Sequence, residues 1–231
     1  MTAPTQGGGN VAEISRFQDP GALSGVLSGV SFVGGLATGL SLADAPFPRP
    51  GANARDIQRF FLGNAGPERI NLTGQLLSAV SLARYSVSVA RLAGRAGQGS
   101  RALRAAAIAG GALACASLAA SATAAAALTA GPGRDEGRAR RLHRFLFNAG
   151  GPVHGAGLAL LLGALGLAGL RTGALPRPLA VAALTAAGVD ALAPVVLAVP
   201  GAALVVPAGR FPTFVVLGVS GVRLARGPAG G

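Results

Sequence analysis

The sequence predicts an all-α fold, a polytopic bundle of about six transmembrane helices, and two observations carry that prediction. First, 51% of the 231 residues are hydrophobic and only 12% are charged, whereas charged residues make up about a quarter of a soluble globular protein. Second, apolar stretches recur along the chain at close to the roughly 20 residues that a helix needs to cross the hydrocarbon of a bilayer. The mean hydropathy of +0.53 also fits burial in lipid.

The basic residues indicate contact with membrane lipids. All 20 of them are Arg, and the formal net charge is +12. Nucleic-acid-binding proteins gather such residues on a solvated patch beside aromatic rings, but here they flank apolar stretches. We therefore expect lipid headgroups as partners, at roughly 1 kcal/mol for each charge near the surface, and no nucleic acid. The single cysteine, Cys115, excludes an intrachain disulfide and CxxC chemistry.

The composition divides the chain into a disordered, Gly-rich tail at residues 1–19, a single transmembrane domain at residues 20–226 and a C-terminal tail at residues 227–231. The first apolar stretch, residues 23–40, ends in Ala43-Asp44-Ala45, which resembles a signal-peptide cleavage site. Because five further apolar stretches follow, the pattern favours a retained first helix.

The next four predicted spans cover residues 70–90, 105–130, 146–170 and 179–199. The third span is built almost entirely of small residues, with Gly110 and Ala114 on one face, so we expect it to approach its neighbours closely and to be the most buried helix. The sixth span is short, residues 211–224, unless its helix begins near Leu204 and places Arg210 at the membrane interface. A re-entrant or tilted short helix is the alternative.

One substantial loop, residues 44–69, separates the first two spans and begins with three prolines. Asn53 can cap a short helix, with Asp56 at the reciprocal capping position, and Gly63 can end it. The apolar residues of this helix fall on one face: Ala54, Ile57, Phe60 and Phe61. The pattern predicts an amphipathic helix that lies in the headgroup layer, and a plain loop outside the membrane is the alternative.

A nearly repeated phrase precedes the second and fourth spans. It reads RFFLGNAGP at residues 59–67 and RFLFNAGGP at residues 144–152, and Arg210-Phe211 stands before the sixth span. One interpretation is that the chain consists of three helical hairpins related by duplication. Because Arg16-Phe17 precedes the first span on the opposite side, a simpler interpretation also stands, in which each Arg-Phe pair anchors a helix at the membrane interface.

These phrases, together with GALPR at residues 173–177 and PAGRF at residues 207–211, resemble a group of uncharacterised actinobacterial six-helix membrane proteins. That group is similar to a bacterial domain family of unknown function. The resemblance covers the second to sixth spans. It implies a multi-pass protein of the bacterial plasma membrane, and it implies no activity and no site.

The distribution of Arg leaves the orientation open. With the amino terminus inside, nine Arg residues lie on the inner side and ten on the outer side, so the positive-inside rule gives no decision. We place both termini inside because the longest loop then lies outside, and a long loop can cross the membrane despite its charge.

Three ionisable residues fall inside the predicted spans: Asp190, His154 and Arg84. A charged side chain inside a bilayer is costly, so an intramembrane ionisable group is a candidate functional residue. Asp190 lies near the middle of the fifth span, and Pro194 removes the hydrogen bond to its carbonyl and predicts a kink. Pro152 removes the equivalent hydrogen bond to Asn148.

Polar side chains beside a broken helix are typical of a transporter site at the bilayer midplane. The structural alternative is that Asp190 is neutral, or pairs with Arg84 or His154 to hold the bundle together. A second polar set lies on one side of the second span: Asn71, Gln75, Ser78 and Tyr85. We expect this set to face other helices, either in interhelical hydrogen bonds of about 0.6 kcal/mol each or along a hydrated path.

Enzyme motifs are missing from the sequence. It contains no GxSxG, HExxH or Walker phosphate-loop pattern and no cluster of metal ligands. We therefore assign no catalytic residue, no metal and no cofactor, and an intramembrane dyad of His154 and Asp190 is the remaining enzymatic alternative.

Two functional interpretations follow. The leading one is a membrane protein that binds or transports a small solute, lipid or ion through a polar interior. The competing one is a non-enzymatic membrane scaffold or assembly partner, as a homo-oligomer or with another membrane protein, in which the polar residues are structural.

Overall fold

The computed structural model describes residues 17–131, 135–199 and 204–227, and within these ranges the chain is helical and contains no strand. A 3₁₀ turn, Pro20–Leu23, leads into the first helix. The elements are α1 (Ser24–Leu42), α2 (Ala54–Gly63), α3 (Ala65–Gly94), α4 (Ser100–Thr129), α5 (Glu136–Asn148), a π turn (Ala149–Val153), α6 (His154–Thr172), α7 (Arg177–Ala191), α8 (Val195–Ala198) and α9 (Val205–Arg226). The predicted all-α fold is confirmed.

The long helices form a closed ring in chain order. α1 packs on α3, α3 on α4, α4 on α6, α6 on α7 and α7 on α9, and α9 returns to α1. α3 also contacts α6 across the ring, so the ring has no open channel between these two helices. The short helices α2 and α5 pack on each other and on α4.

Five helices in the described ranges are long and apolar enough to cross a membrane: Pro20–Leu42, Ser100–Thr129, Glu136–Thr172, Arg177–Ala198 and Val205–Arg226. The fold is therefore that of a protein embedded in a membrane. The last of these helices has 22 residues and includes Arg210, so the full-length alternative for the sixth span is the one observed, and Arg210 lies inside the helix.

The predicted second span, α3, is a 30-residue helix that is more polar than those five. Its outward face is apolar, with Leu76, Leu77 and Val80 between 48% and 72% exposed. Three of its polar residues, Asn71, Ser78 and Tyr85, are buried inside the bundle. α3 is thus the sixth member of the ring, and the expectation that its polar set faces other helices is confirmed for these residues.

Glycine lies at tight turns beside two of the long helices, directly before α4 and directly after α6. Gly99 has a φ of 79° in the short connection between α3 and α4, and Gly173 has a φ of 66° directly after α6. A residue with a side chain is strained in this left-handed region. Pro176 and Pro178 then start α7, because proline fits the first turn of a helix, where its missing N–H has no partner to lose.

Helix α2 has the predicted bounds and cap but not the predicted surroundings. Asn53 Oδ1 accepts from the Asp56 amide at 2.9 Å, as the capping pattern predicts. Its apolar face, however, packs on α4 and α5, and Ile57 and Phe61 are fully buried there. The expectation that this face enters the headgroup layer is therefore wrong, because the neighbouring helices already cover it.

The folded domain begins earlier than predicted. Phe17 and Asp19 are buried, and the Asp19 amide donates to the Leu224 carbonyl at 3.0 Å. The predicted disordered tail is therefore too long by residues 17–19, and its remainder lies outside the described residues. Of the predicted C-terminal tail, residues 227–231, the structure describes Gly227, and the other four residues lie outside the described ranges.

Small residues set the closest helix contacts. A Cβ on Gly110 of α4 would lie 2.7 Å from the Gly157 carbonyl oxygen of α6, which confirms the close approach predicted for the third span. Of the five apolar helices, the one that contains α6 is the most enclosed. In its most apolar stretch 61% of the residues are buried, compared with 44% in that of α4. The prediction that the third span is the most buried helix is wrong, because α6 has neighbours on three sides of the ring.

The two copies of the repeated phrase occupy similar junctions. Each stands where a short amphipathic helix meets a long one, α2 before α3 and α5 before α6. The phrases differ in their surroundings, because Phe60 is buried whereas Phe145 is 53% exposed. Duplication of a hairpin stays a prediction.

Candidate functional site

Asp190 lies at the end of α7 and is 2% exposed. The helix breaks after Ala191, and the Asp190 carbonyl accepts from the Ala193 amide at 3.1 Å instead of continuing the α pattern. This break is the one predicted from Pro194. The Asp190 carboxylate accepts a hydrogen bond from the Thr213 hydroxyl at 2.6 Å, so it joins the end of α7 to the first half of α9.

Glycine allows α9 to approach this carboxylate. A Cβ on Gly209 would collide with Asp190 Oδ1, and a Cβ on Gly155 of α6 would lie 2.7 Å from the Ala193 side chain. Three helices therefore meet tightly around Asp190, and no open space separates the carboxylate from their backbones.

Arg210 of α9 is a further charged group in this region. Its guanidinium donates to the Gly150 carbonyl and lies 5.2 Å from the centre of the Phe32 ring. It also interacts electrostatically with Asp190 and His154. The guanidinium Nε is buried and has no hydrogen-bond partner within the described part of the chain.

The π turn makes the Gly150 carbonyl available to Arg210. In an α-helix the His154 amide would donate to this carbonyl, but here it donates to the carbonyls of Ala149 and Gly151. π turns inside helices occur often at functional sites. Pro152 within the turn has no N–H of its own to donate.

His154 is fully buried on α6, beside the π turn. Its Nδ1 lies 2.9 Å from the Ala114 carbonyl of α4, so Nδ1 carries the proton and donates. Its Nε2 is buried without a hydrogen-bond partner among the described residues. His154 therefore ties α6 to α4, and it makes no hydrogen bond or ion pair with Asp190 in the described structure.

Arg84 lies in a different part of the bundle from Asp190. It pairs with Asp19 at 3.2 Å and donates to Ser88 at 3.1 Å, with 43% of its side chain exposed. The structural alternative in which Asp190 pairs with Arg84 or His154 is therefore not the arrangement observed. Hydrophobic periodicity did not identify Asp19 as the partner of Arg84, because Asp19 lies before the first apolar stretch.

Tyr85 and Ser78 act between helices. The Tyr85 hydroxyl lies 2.6 Å from the Ser220 hydroxyl of α9, and the Ser78 hydroxyl lies 3.0 Å from that of Ser28 on α1. All four side chains are buried. This half of the polar set on α3 takes the structural role that interhelical hydrogen bonds serve.

Asn71 and Gln75, the other half of that set, line a cavity of about 370 Å³ together with Arg210. Gln75 donates to Asn71 at 3.3 Å, and Asn71 donates to the buried carboxylate of Glu68 at 3.4 Å. Each amide keeps a second N–H for a further partner. Apolar side chains form most of the remaining wall: Phe32, Leu36, Leu40, Leu118, Leu146 and Phe211.

Asn148 lines a separate cavity of about 420 Å³ with His143 and Arg144. Phe147 lines both cavities and so lies between them. Asp190 and His154 line neither of the two. The predicted site residues therefore fall into four groups: Asn71 and Gln75 at the first cavity, Asn148 at the second, Arg84 in a partly exposed ion pair, and Asp190, His154 and Tyr85 in buried interhelical contacts.

Arg210 is the residue that sequence reasoning missed. The signal was present, because a sixth span of full length places Arg210 within its second turn, next to Pro207 and Pro212. No three His, Cys, Asp or Glu side chains within the described ranges come together in a way that could hold a metal ion.

Comparisons with protein-family models, curated proteins and solved structures find no match to this chain, so the resemblance to actinobacterial six-helix proteins stays an expectation.

Proposed function

We propose that this membrane protein binds a small organic anion with an apolar body in the cavity lined by Arg210, Asn71 and Gln75, and carries it across the bilayer. The observation that supports the proposal best is the buried guanidinium Nε of Arg210, which has no partner within the described residues and belongs to a side chain that lines this cavity.

The size and lining of the cavity suit such a ligand. Its volume of about 370 Å³ falls within the range of roughly 300 to 1,000 Å³ that is usual for small-molecule sites. A mostly apolar wall with a few polar groups in one place is also the usual composition of such sites. The apolar wall would cover the body of the ligand, and Arg210 would pair with its charged end.

Arg210 suits an anion better than a cation or a neutral solute. Guanidinium groups bind carboxylates through charge-assisted hydrogen bonds, which are stronger than neutral ones. Asp190 offsets part of the charge of Arg210, but its carboxylate already accepts from Thr213. The second N–H groups of Asn71 and Gln75 add neutral donors on another wall of the same cavity.

The binding test uses the purified full-length chain in a maltoside detergent and calorimetric titration with hexanoate, octanoate and benzoate, each compared with its neutral amide. We expect at least one carboxylate to bind and its amide to bind roughly tenfold more weakly, because the amide lacks the charge that Arg210 pairs with. Arg210→Gln should abolish the preference for the carboxylate. Arg226→Gln removes an exposed Arg at the other end of the same helix and should leave the preference unchanged.

Gln75→Leu gives a second variant in case Arg210→Gln does not fold. It should weaken binding of the same carboxylate by a few-fold, because it removes one neutral donor of the cavity wall. Flux of the bound anion into proteoliposomes then separates a carrier from a binding protein. No binding of any carboxylate to a folded wild-type chain would contradict the proposal.

A scaffold is the second candidate, and the buried polar pairs favour it. Thr213 with Asp190, Tyr85 with Ser220, and Ser28 with Ser78 satisfy one another and need no ligand. A scaffold would show no binding in the titrations, and Arg210→Gln would change only the stability of the bundle.

A further inference from the structure

The polar cavity beside α5 is distinct from the cavity assigned above, and its wall is basic. It has a volume of about 420 Å³ and is lined by Arg140, His143, Arg144 and Asn148, together with part of the proline-rich loop and part of α8. These four side chains follow one another at helical spacing, so one face of α5 presents two guanidinium groups, an imidazole and an amide.

His143 is the residue that indicates a ligand. It is 2% exposed, its ring lies 6.1 Å from the centre of Phe47 and 6.3 Å from that of Phe61, and one ring nitrogen bonds to the Pro48 backbone. The other nitrogen, Nε2, is buried without a hydrogen-bond partner within the described residues. A buried polar atom without a partner is costly, and a ligand in the cavity that His143 lines would remove that cost.

The charges around the cavity favour an anion. Arg140 lies 3.5 Å from Glu136, an exposed pair that offsets only part of its charge. Arg144 forms no ion pair among the described residues. Among the residues that the structure describes, no carboxylate lines the cavity, so its polar wall is positive.

We propose that the cavity formed by Arg140, His143, Arg144 and Asn148 binds a phosphate group that carries an apolar substituent. Phosphate has more acceptor oxygens than a carboxylate, and two guanidinium groups with an amide can bond to several of them at once. His143 Nε2 donates to a phosphate oxygen when the ring carries both protons, or accepts from a P–OH group.

The rest of the wall indicates what the phosphate is attached to. Ile57, Phe147, Val196 and Leu197 also line the cavity, and the volume exceeds what a phosphate group alone would fill. An apolar substituent would cover these side chains. A phospholipid headgroup with its glycerol and the start of its chains has this chemistry, and so does a soluble phosphate ester.

The test uses the two histidines of the chain as reporters. The full-length protein, labelled with ¹⁵N-histidine in a maltoside detergent, has imidazole signals from only His143 and His154. His143→Gln assigns them, because it removes one. One arm titrates short-chain phosphatidylglycerol against phosphatidylcholine of the same chain length, and the other titrates inorganic phosphate and phenyl phosphate against chloride at equal ionic strength.

We expect a phosphate compound to shift the His143 signal in a saturable way and to leave the His154 signal in place. A response to phosphatidylglycerol alone assigns the site to lipid, and a response to phenyl phosphate assigns it to a soluble ester. Arg144→Gln should weaken the response roughly tenfold. Arg138→Gln removes an exposed Arg of the same helix that does not line the cavity and should weaken it less than twofold.

Two results would overturn the proposal. One is a His143 signal that no phosphate compound moves while the protein stays folded. The other is an equal loss of response in Arg138→Gln and Arg144→Gln, which would mean attraction to the general positive charge of α5. Neither result bears on the carboxylate titrations with Arg210→Gln, so the two sites are tested separately.

Discussion

Asp19 joins three parts of the chain at the end of the bundle where the described termini meet. Its carboxylate accepts from the Gly21 amide at 2.9 Å and pairs with Arg84 and Arg91 of α3 at 3.2 Å each. Its backbone amide bonds to the Leu224 carbonyl of α9. Burial alone would raise the pKa of Asp19, but the hydrogen bonds and the two Arg charges outweigh burial and lower that pKa below its ordinary value.

Asp19→Asn tests whether this carboxylate stabilises the bundle. We expect the variant to lose about 1 to 3 kcal/mol of stability, because two guanidinium groups lose their charged partner. Asp135→Asn is the matched control, since it removes a carboxylate from an exposed pair with Arg141, which is worth about 0 to 1 kcal/mol. Thermal unfolding in detergent measures both, and equal small changes would contradict the role of Asp19.

The lowered pKa of Asp19 also predicts a dependence on pH. A carboxyl whose pKa is lower in the folded state contributes stability that is complete above its unfolded pKa, about 3.9. This contribution is lost as the pH falls through the folded pKa. The difference in melting temperature between wild type and Asp19→Asn should therefore be constant from about pH 6 to 8 and shrink below about pH 4. A difference that grows on acidification would contradict the assigned shift.

The sequence did not predict which groups the ionisable residues of the site would contact. Asp190, His154 and Arg84 were identifiable because each interrupts an apolar stretch. Their partners were not, because helical periodicity reports which residues share a face and not which helix stands opposite at the same depth. Thr213 and Ala114 therefore became visible as the partners of Asp190 and His154 only when α9 was placed beside α7 and α4 beside α6.

At the scale of the helices, glycines determine where α1 and α3 cross. A Cβ on Gly35 of α1 would lie 2.8 Å from the Gly74 Cα of α3, and a Cβ on Gly74 would lie 2.5 Å from the Ser31 carbonyl oxygen. The groups in the way are backbone atoms, so neither helix can yield by turning a side chain. Such contacts between small residues are a main source of helix association in membranes.

Gly35→Ala tests this crossing, with Gly34→Ala as its neighbour and control. We expect Gly35→Ala to destabilise the protein by about 1 to 3 kcal/mol, because the added methyl forces the two backbones apart. A Cβ on Gly34 meets nothing within 4 Å, so Gly34→Ala should be neutral or slightly stabilising. Melting temperatures in the same detergent compare the two variants, and an equal effect of both would argue against the crossing.

The helices themselves followed from length and hydropathy, and their irregularities followed less well. Pro194 predicted the break after α7, and Asn53 predicted the start of α2. The surroundings of α2 could not be predicted, because an amphipathic helix has the same sequence pattern whether lipid or another helix covers its apolar face. The short sixth stretch likewise left open whether the helix extends back to Val205, since Pro207 fits the first turn of such a helix but Pro212 lies inside it.

At the scale of the whole molecule, the outward surface of the ring is apolar. Leu27 and Val30 of α1, Val80 of α3, Leu160 of α6 and Val215 of α9 are between 46% and 72% exposed. Single exposed apolar residues are ordinary on soluble proteins, but a continuous apolar surface around a bundle is not. Lipid chains are the solvent that suits this surface, and the Arg residues near the helix ends suit the headgroups.

The central claim is that lipid solvates the outward face of the ring, and removal of detergent from the purified full-length chain tests it most directly. Size-exclusion chromatography and circular dichroism would compare the protein in nanodiscs with the protein in plain buffer. We predict a helical, monodisperse protein in nanodiscs and aggregation in buffer. A stable, monodisperse and helical protein in detergent-free buffer would contradict the membrane-embedded fold and both proposed sites with it.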